Sequence, residues 1–211
     1  MTTKARKLGP RFDSALVFAK RKHEGQARKG TSTPYVAHVL GVAALVLEAG
    51  GDEDMAIAAL LHDVVEDCGG MPMLREVRKR FGPRVASMVE GCTDAFVEPK
   101  PPWRERKEKY LKKLRKASAD TRMVSAADKV YNARAILLDY HDIGESVWDR
   151  FSGKKSGTLW YYRELVKEFD RANTNRLGSE LARVIAELER ISMPAKRSSR
   201  QPRKTMRTGT Q

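Results

Sequence analysis

The sequence predicts a single all-α domain, and three observations carry that prediction. Apolar residues recur at spacings of three and four through most segments. No segment pair alternates in the two-residue rhythm of a β-hairpin. At 211 residues the chain is long enough for one hydrophobic core and short for two domains. The expected organisation is a basic arm over residues 1–10, a helical domain over 11–191 and a basic tail over 192–211.

The elements follow in order. In FDSALVFAKRKH, residues Phe12, Ala15, Leu16, Ala19 and His23 form one apolar helix face. GQARKGTSTPY is a loop, with two glycines, clustered Ser/Thr and Pro34. A second helix runs from about Tyr35 to the Gly50-Gly51 stop. Asp52 can cap a third, DEDMAIAALLHDVVED, whose middle is apolar almost all round and so belongs at the centre. MPMLREVRKRFG is a shorter amphipathic helix, and Pro83 suits the first turn of the next, PRVASMVEGCTD. Three prolines in four residues make AFVEPKPPW a loop. A highly charged helix (RERKEKYLKKLRKAS) follows, then one from about Asp120 to His141, one around TLWYYRELVKEF and a last from about Asn175 to Ile191.

The net charge of +14 suggests a nucleic-acid binder until it is divided along the chain. Lys4, Arg6, Lys7 and Arg11 meet no acid within residues 1–11, and Lys196, Arg197, Arg200, Arg203, Lys204 and Arg207 meet none within 195–211. Ten of the fourteen excess charges therefore sit at the ends, where they give at most nonspecific affinity for polyanions. No run approaches the roughly 18 apolar residues of a membrane helix, and MTTKARKLGPRF lacks the apolar core of a signal peptide. Cys68 and Cys92 are the only cysteines, too few for a disulfide framework. The cytoplasm is the expected location. No pattern specifies an oligomeric state.

Chemistry concentrates in ALLHDVVED. Asp63 lies among Leu60, Leu61, Val64 and Val65, a costly place for a carboxylate without a counter-charge. On a continuous helix His62 and Glu66 share one side, and Asp63 and Asp67 the adjoining one. A divalent cation resolves the repulsion, since imidazole and carboxylate both suit Mn²⁺, Fe²⁺ or Zn²⁺. The plainer account is a helix end with solvated Glu66 and Asp67 and one buried His62–Asp63 pair. His38, alone on an apolar helix, reads more readily as a core residue than as a ligand, and Asp128–Lys129 as a surface ion pair. Together, His38, His62, Asp63 and Asp128 offer two nitrogens and two carboxylates for one ion between helices. His23 and His141 lack such surroundings and read as structural. Tyr131, Trp160, Tyr161 and Tyr162 read as core.

The segments RKGTSTPYVAHVLGVA, AALLHDVVED and AADKVYNAR resemble the RelA/SpoT-type alarmone hydrolases of the HD superfamily, the stand-alone small alarmone hydrolases above all. The resemblance spans roughly residues 11–171. It implies a single HD-domain helical bundle with Mn²⁺ held by His38, His62, Asp63 and Asp128. It gives Glu66 and Asp67 the water-activating role, Arg28 and Lys29 contact with the base, Asn132 the ribose and phosphates, and Arg106 and Lys107 phosphate contacts. It further implies removal of the 3′-pyrophosphate of (p)ppGpp to give GDP or GTP and pyrophosphate. Val39 departs from the family's usual proline, GTSTPY is about one residue short, and FSGKKSGTLWYYREL does not match the family's tyrosine-containing region. Two rival readings remain at this level. One is an HD hydrolase of another phosphorylated nucleotide, such as NADPH, an adenosine alarmone analogue or a nucleoside monophosphate. The other is a non-catalytic basic nucleotide or nucleic-acid binding module.

Overall fold

An apolar segment without a polar face must be surrounded, and this chain is built around one. In the computed structural model, which describes residues 7–96, 99–171 and 175–193, that segment is α3 (Glu53–Leu61), buried from Met55 to Leu61. Its N-terminus is capped by Asp52, whose side chain accepts the Met55 N–H at 3.0 Å. Around it pack α1 (Pro10–Lys22), α2 (Val36–Glu48), α6 (Pro83–Cys92) and α8 (Ala119–Ile143).

The 25-residue α8 is the second axis of the bundle. Ser118 caps it by accepting the Thr121 N–H at 3.1 Å. It contacts α2, α3 and α6 and also carries α10 (Asn175–Ser192), which packs in turn on α9 (Lys154–Arg171). A 3₁₀ helix (Gly144–Arg150) joins α8 to α9, and α7 (Trp103–Arg115) lies against α9. Between α5 (Gly70–Phe81) and α6 the chain turns at Gly82, where φ is +94°, and Pro83 opens α6 as the sequence predicts.

The expected helices form, with differences at their ends. Trp103, expected in the proline-rich loop, begins α7. The third predicted helix is not continuous: α3 ends at Leu61, and α4 (Val64–Cys68) begins after a turn at His62-Asp63. The reason is local. His62 Nδ1 takes the Ala59 carbonyl at 2.8 Å, the oxygen that would accept the Asp63 N–H in an uninterrupted helix. The GQARKGTSTPY loop closes on itself through Arg28 N–H to Thr33 O (2.8 Å) and Tyr35 N–H to Gln26 O (2.9 Å). Its Ala27–Pro34 bridge is the only strand-like pairing among the described residues. None of the helices described is long and apolar enough to cross a membrane. Most of the predicted basic arm and nearly all of the tail, residues 1–6 and 194–211, lie outside the described residues.

Candidate metal centre and substrate cavity

Three helices deliver the polar cluster. His38 comes from the first turn of α2, His62 and Asp63 from the break between α3 and α4, and Asp128 from the middle of α8. The break matters because it turns His62 and Asp63 toward the same point. His38 Nε2 and His62 Nε2 lie 3.1 Å apart. Asp63 Oδ2 is 3.0 Å from His62 Nε2 and 3.4 Å from His38 Nε2, and Asp128 Oδ1 is 3.6 and 3.4 Å from the same two atoms. His38, His62 and Asp128 each bring one donor atom within 4.8 Å of the others, and all three are buried. Asp63 adjoins that trio through both ring nitrogens, so the four predicted residues converge.

The cluster can hold a cation. His62 Nδ1–H donates to the Ala59 carbonyl, which leaves the lone pair of a neutral ring on Nε2, facing the carboxylates. Burial works against charge on His62, yet Asp63 and Asp128 outweigh it and hold its pKa well above the ordinary value. Burial likewise opposes ionisation of Asp63, but His62 and His38 hold its pKa well below the carboxylate range. For Asp128 burial is again overcome, first by Lys129. Two imidazole nitrogens and two carboxylates around one point fit a divalent cation.

The surrounding groups fix these donors. Tyr35 Oη donates to Asp63 Oδ2 at 2.5 Å. Asn132 Nδ2 donates to Asp128 Oδ1 and Lys129 Nζ to Asp128 Oδ2, both at 2.5 Å. Asp128–Lys129 is thus a part-buried pair, with Asp128 itself buried, rather than a surface one. His23, expected to be structural, is buried beside the site: its Nδ1 meets Gln26 Oε1 at 2.7 Å, and its ring lies 4.8 Å from that of Tyr35.

A cavity of about 540 Å³ lies beside the cluster. Arg28, Lys29 and Tyr35 line it from the loop, Glu66 from α4, and Asn132 from α8. Lys100, Arg106 and Lys107 bring positive charge to the cavity lining as well. Arg28 donates to Asn132 Oδ1 at 2.7 Å, tying the loop to the residue that holds Asp128. Glu66 accepts from Lys100 Nζ at 2.9 Å and from the Asp94 N–H at 3.1 Å. Asp67 does not share that wall. It accepts from Gln26 Nε2 at 2.8 Å, and burial, then Asp63, raise its pKa. The side-by-side arrangement expected of a continuous helix is therefore replaced by one acid lining the cavity and one at its flank.

Sequence reasoning missed several groups. Asp94 pairs with both Arg106 and Lys107, the latter at 2.9 Å, and aligns them toward the cavity. Lys107 is accordingly part-buried and paired instead of lying on a solvated face. Lys100 was readable only as a lysine among prolines, a pinned backbone carrying one charge. Tyr131, Tyr161 and Tyr162, expected as core, are packed but also line the cavity, as do Trp103 and Phe151.

The sequence profile of the HD domain matches residues 15–158. The chain belongs to the HD-domain family. This HD domain is 40% identical over 130 residues to a Xenopus tropicalis protein named guanosine-3′,5′-bis(diphosphate) 3′-pyrophosphohydrolase MESH1, an alignment covering 58% of this chain and 70% of that one. The human protein of the same name is 41% identical, with 57% of this chain and 66% of its own length aligned. An Aquifex aeolicus guanosine-3′,5′-bis(diphosphate) 3′-pyrophosphohydrolase is 37% identical over 80% of this chain, a region that is 20% of that longer protein. A solved structure, described as a metazoan ortholog of SpoT that hydrolyzes ppGpp, superposes with a TM-score of 0.70 at 28% identity. It covers 89% of this chain and 98% of its own.

Proposed function

We propose that this HD-domain protein is a Mn²⁺-dependent phosphohydrolase that removes the 3′-pyrophosphate of (p)ppGpp, giving GDP or GTP and pyrophosphate in the cytoplasm. The observation that carries the reading is one arrangement: two histidines and two aspartates converge beside a cavity whose lining carries Glu66, Asp94 and Asp139 and several cations. The names of the relatives support the choice of substrate.

His38, His62, Asp63 and Asp128 would hold the ion. Bound there, a divalent ion supplies Lewis acidity, polarising a phosphoryl oxygen and lowering the pKa of a water molecule. Glu66 accepts the proton of the attacking water, while Asp67, at the flank of the cavity, would act through Glu66 and not on the water itself. Water attacks the phosphorus attached to the 3′-oxygen, the P–O3′ bond breaks, and the ribose oxygen leaves with the proton that Glu66 gives back. Lys100, Arg106 and Lys107 neutralise the pyrophosphate, with Asp94 keeping the last two aligned before substrate arrives. Arg28, poised 5.7 Å over Tyr131 and 5.9 Å over Tyr35, offers a flat cation to the base beside Lys29, and Asn132 meets the ribose.

The reading is tested by incubating the protein with ppGpp and Mn²⁺ and identifying every product. GDP and pyrophosphate in equal amounts are expected. Intact ppGpp, or release of orthophosphate alone, would remove the assignment.

A further inference from the structure

A metal-binding histidine is usually oriented by a hydrogen bond from its second ring nitrogen. His62 conforms, through Nδ1 to the Ala59 carbonyl at 2.8 Å. His38 does not. Its Nδ1 is buried and has no hydrogen-bond partner among the described residues, although the residue is wholly enclosed. Something else must stop this imidazole from turning.

What surrounds it is aromatic. Tyr35 meets the ring edge-on at 5.3 Å, and Tyr131 lies 5.0 Å away at 59°. Tyr35 is already engaged through its hydroxyl with Asp63 and through its ring with His23. Tyr131 sits three residues after Asp128, one turn along α8. Facing it, Gly41 sits three residues after His38, one turn along α2. A Cβ on Gly41 would lie 2.0 Å from Tyr131 Cε2 and 2.5 Å from Cδ2, so the ring fills the space a side chain would take. No positive φ requires glycine at this position. Glycine inside a helix is destabilising relative to alanine, and admitting the tyrosine ring is what it gains here. Arg28 lies 5.7 Å from the centroid of the same ring.

We infer that Tyr131, lodged against Gly41, is a positioning residue: its ring fixes the His38 imidazole toward the metal cluster and supports Arg28 at the cavity. The role belongs to the ring, not the hydroxyl, and it rests on the metal reading given above.

Mn²⁺ binding, measured from the loss of the free-ion electron paramagnetic resonance signal, tests this without turnover. Tyr131→Leu should weaken binding about 10-fold, the lower end of what loss of an orienting partner costs. Tyr131→Phe should stay within about 2-fold of wild type, because it keeps the ring. Gly41→Ala should weaken binding like Tyr131→Leu. The Gly41→Ala, Tyr131→Leu double variant should be no worse than Tyr131→Leu, since both changes act on one contact. Circular dichroism establishes that each variant is folded, and the Tyr131→Phe and Tyr131→Leu pair carries the test if Gly41→Ala does not fold. Wild-type affinity in Tyr131→Leu, or equal losses in the Phe and Leu variants, overturns the inference alone. A wild-type protein that binds no Mn²⁺ overturns the metal reading and this role with it.

Discussion

At the residue scale, Asp94 is the most informative side chain outside the metal cluster. Burial would raise its pKa, but Lys107 and Arg106 outweigh burial and hold it below the ordinary value of 3.8. A carboxylate depressed in the folded state adds stability above its unfolded pKa and loses it as pH falls through the lower folded value. Asp94→Asn should therefore cost about 2 kcal/mol at neutral pH, the scale of hydrogen bonds to charged groups. That difference from wild type should shrink as pH drops below about 4. Thermal melts of both proteins from pH 7 to pH 2 check this, and a gap that stays constant would contradict it. Asp94 also shows where sequence reading stops. Of the proposed metal donors, His62 and Asp63 were legible as polar residues within an apolar run, whereas His38 and Asp128, read singly as a core residue and a surface ion pair, gained weight only from the three segments taken together. Asp94 sits at the end of its helix in an ordinary Thr-Asp pair, and only folding brings α7 against it to make Arg106 and Lys107 its partners.

At the scale of elements, the break between α3 and α4 separates what pattern can reveal from what it cannot. Hydrophobic periodicity placed His62 correctly in the buried centre, with Asp63 partly exposed beside it. It could not show that His62 would capture the Ala59 carbonyl and end the helix there, because a side-chain hydrogen bond to the backbone leaves the period of the sequence unchanged. The aromatic residues of α8 and α9 were ambiguous for a related reason: a packed ring and a cavity-lining ring share the same spacing. Away from the site, three helix N-termini are tied by one residue. Arg84 of α6 reaches Asp52 at 2.7 Å before α3, Asp54 at 3.4 Å within it, and Asp120 at 2.7 Å in the first turn of α8. The network is exposed, so Arg84→Ala should cost about 1 kcal/mol, a melting point lower by roughly 2–4 °C for a chain of this size. Turnover should not change, since none of these residues lines the cavity. Lost turnover at an unchanged melting point would show that the network serves the site instead.

At the scale of the whole molecule, charge is divided by task. Most of the net excess of +14 was traced in the sequence to the ends of the chain. The cations that matter to the cavity are few and individually held: Arg28 by Asn132, Lys129 by Asp128, Arg106 and Lys107 by Asp94, Lys100 by Glu66. Each is positioned by a partner before any phosphate arrives, which lowers the ordering cost of binding a polyanion. The composition sum alone pointed toward a nucleic-acid binder; the placement of these groups points to a small, highly charged substrate beside a metal. The most direct test of that account is metal reconstitution. Protein stripped with chelator should hydrolyse no ppGpp, regain its full rate as Mn²⁺ is titrated to one ion per chain, and show no recovery in a His62→Ala, Asp63→Ala variant. A stripped wild type that keeps its full rate, or a double variant restored by Mn²⁺, would contradict it.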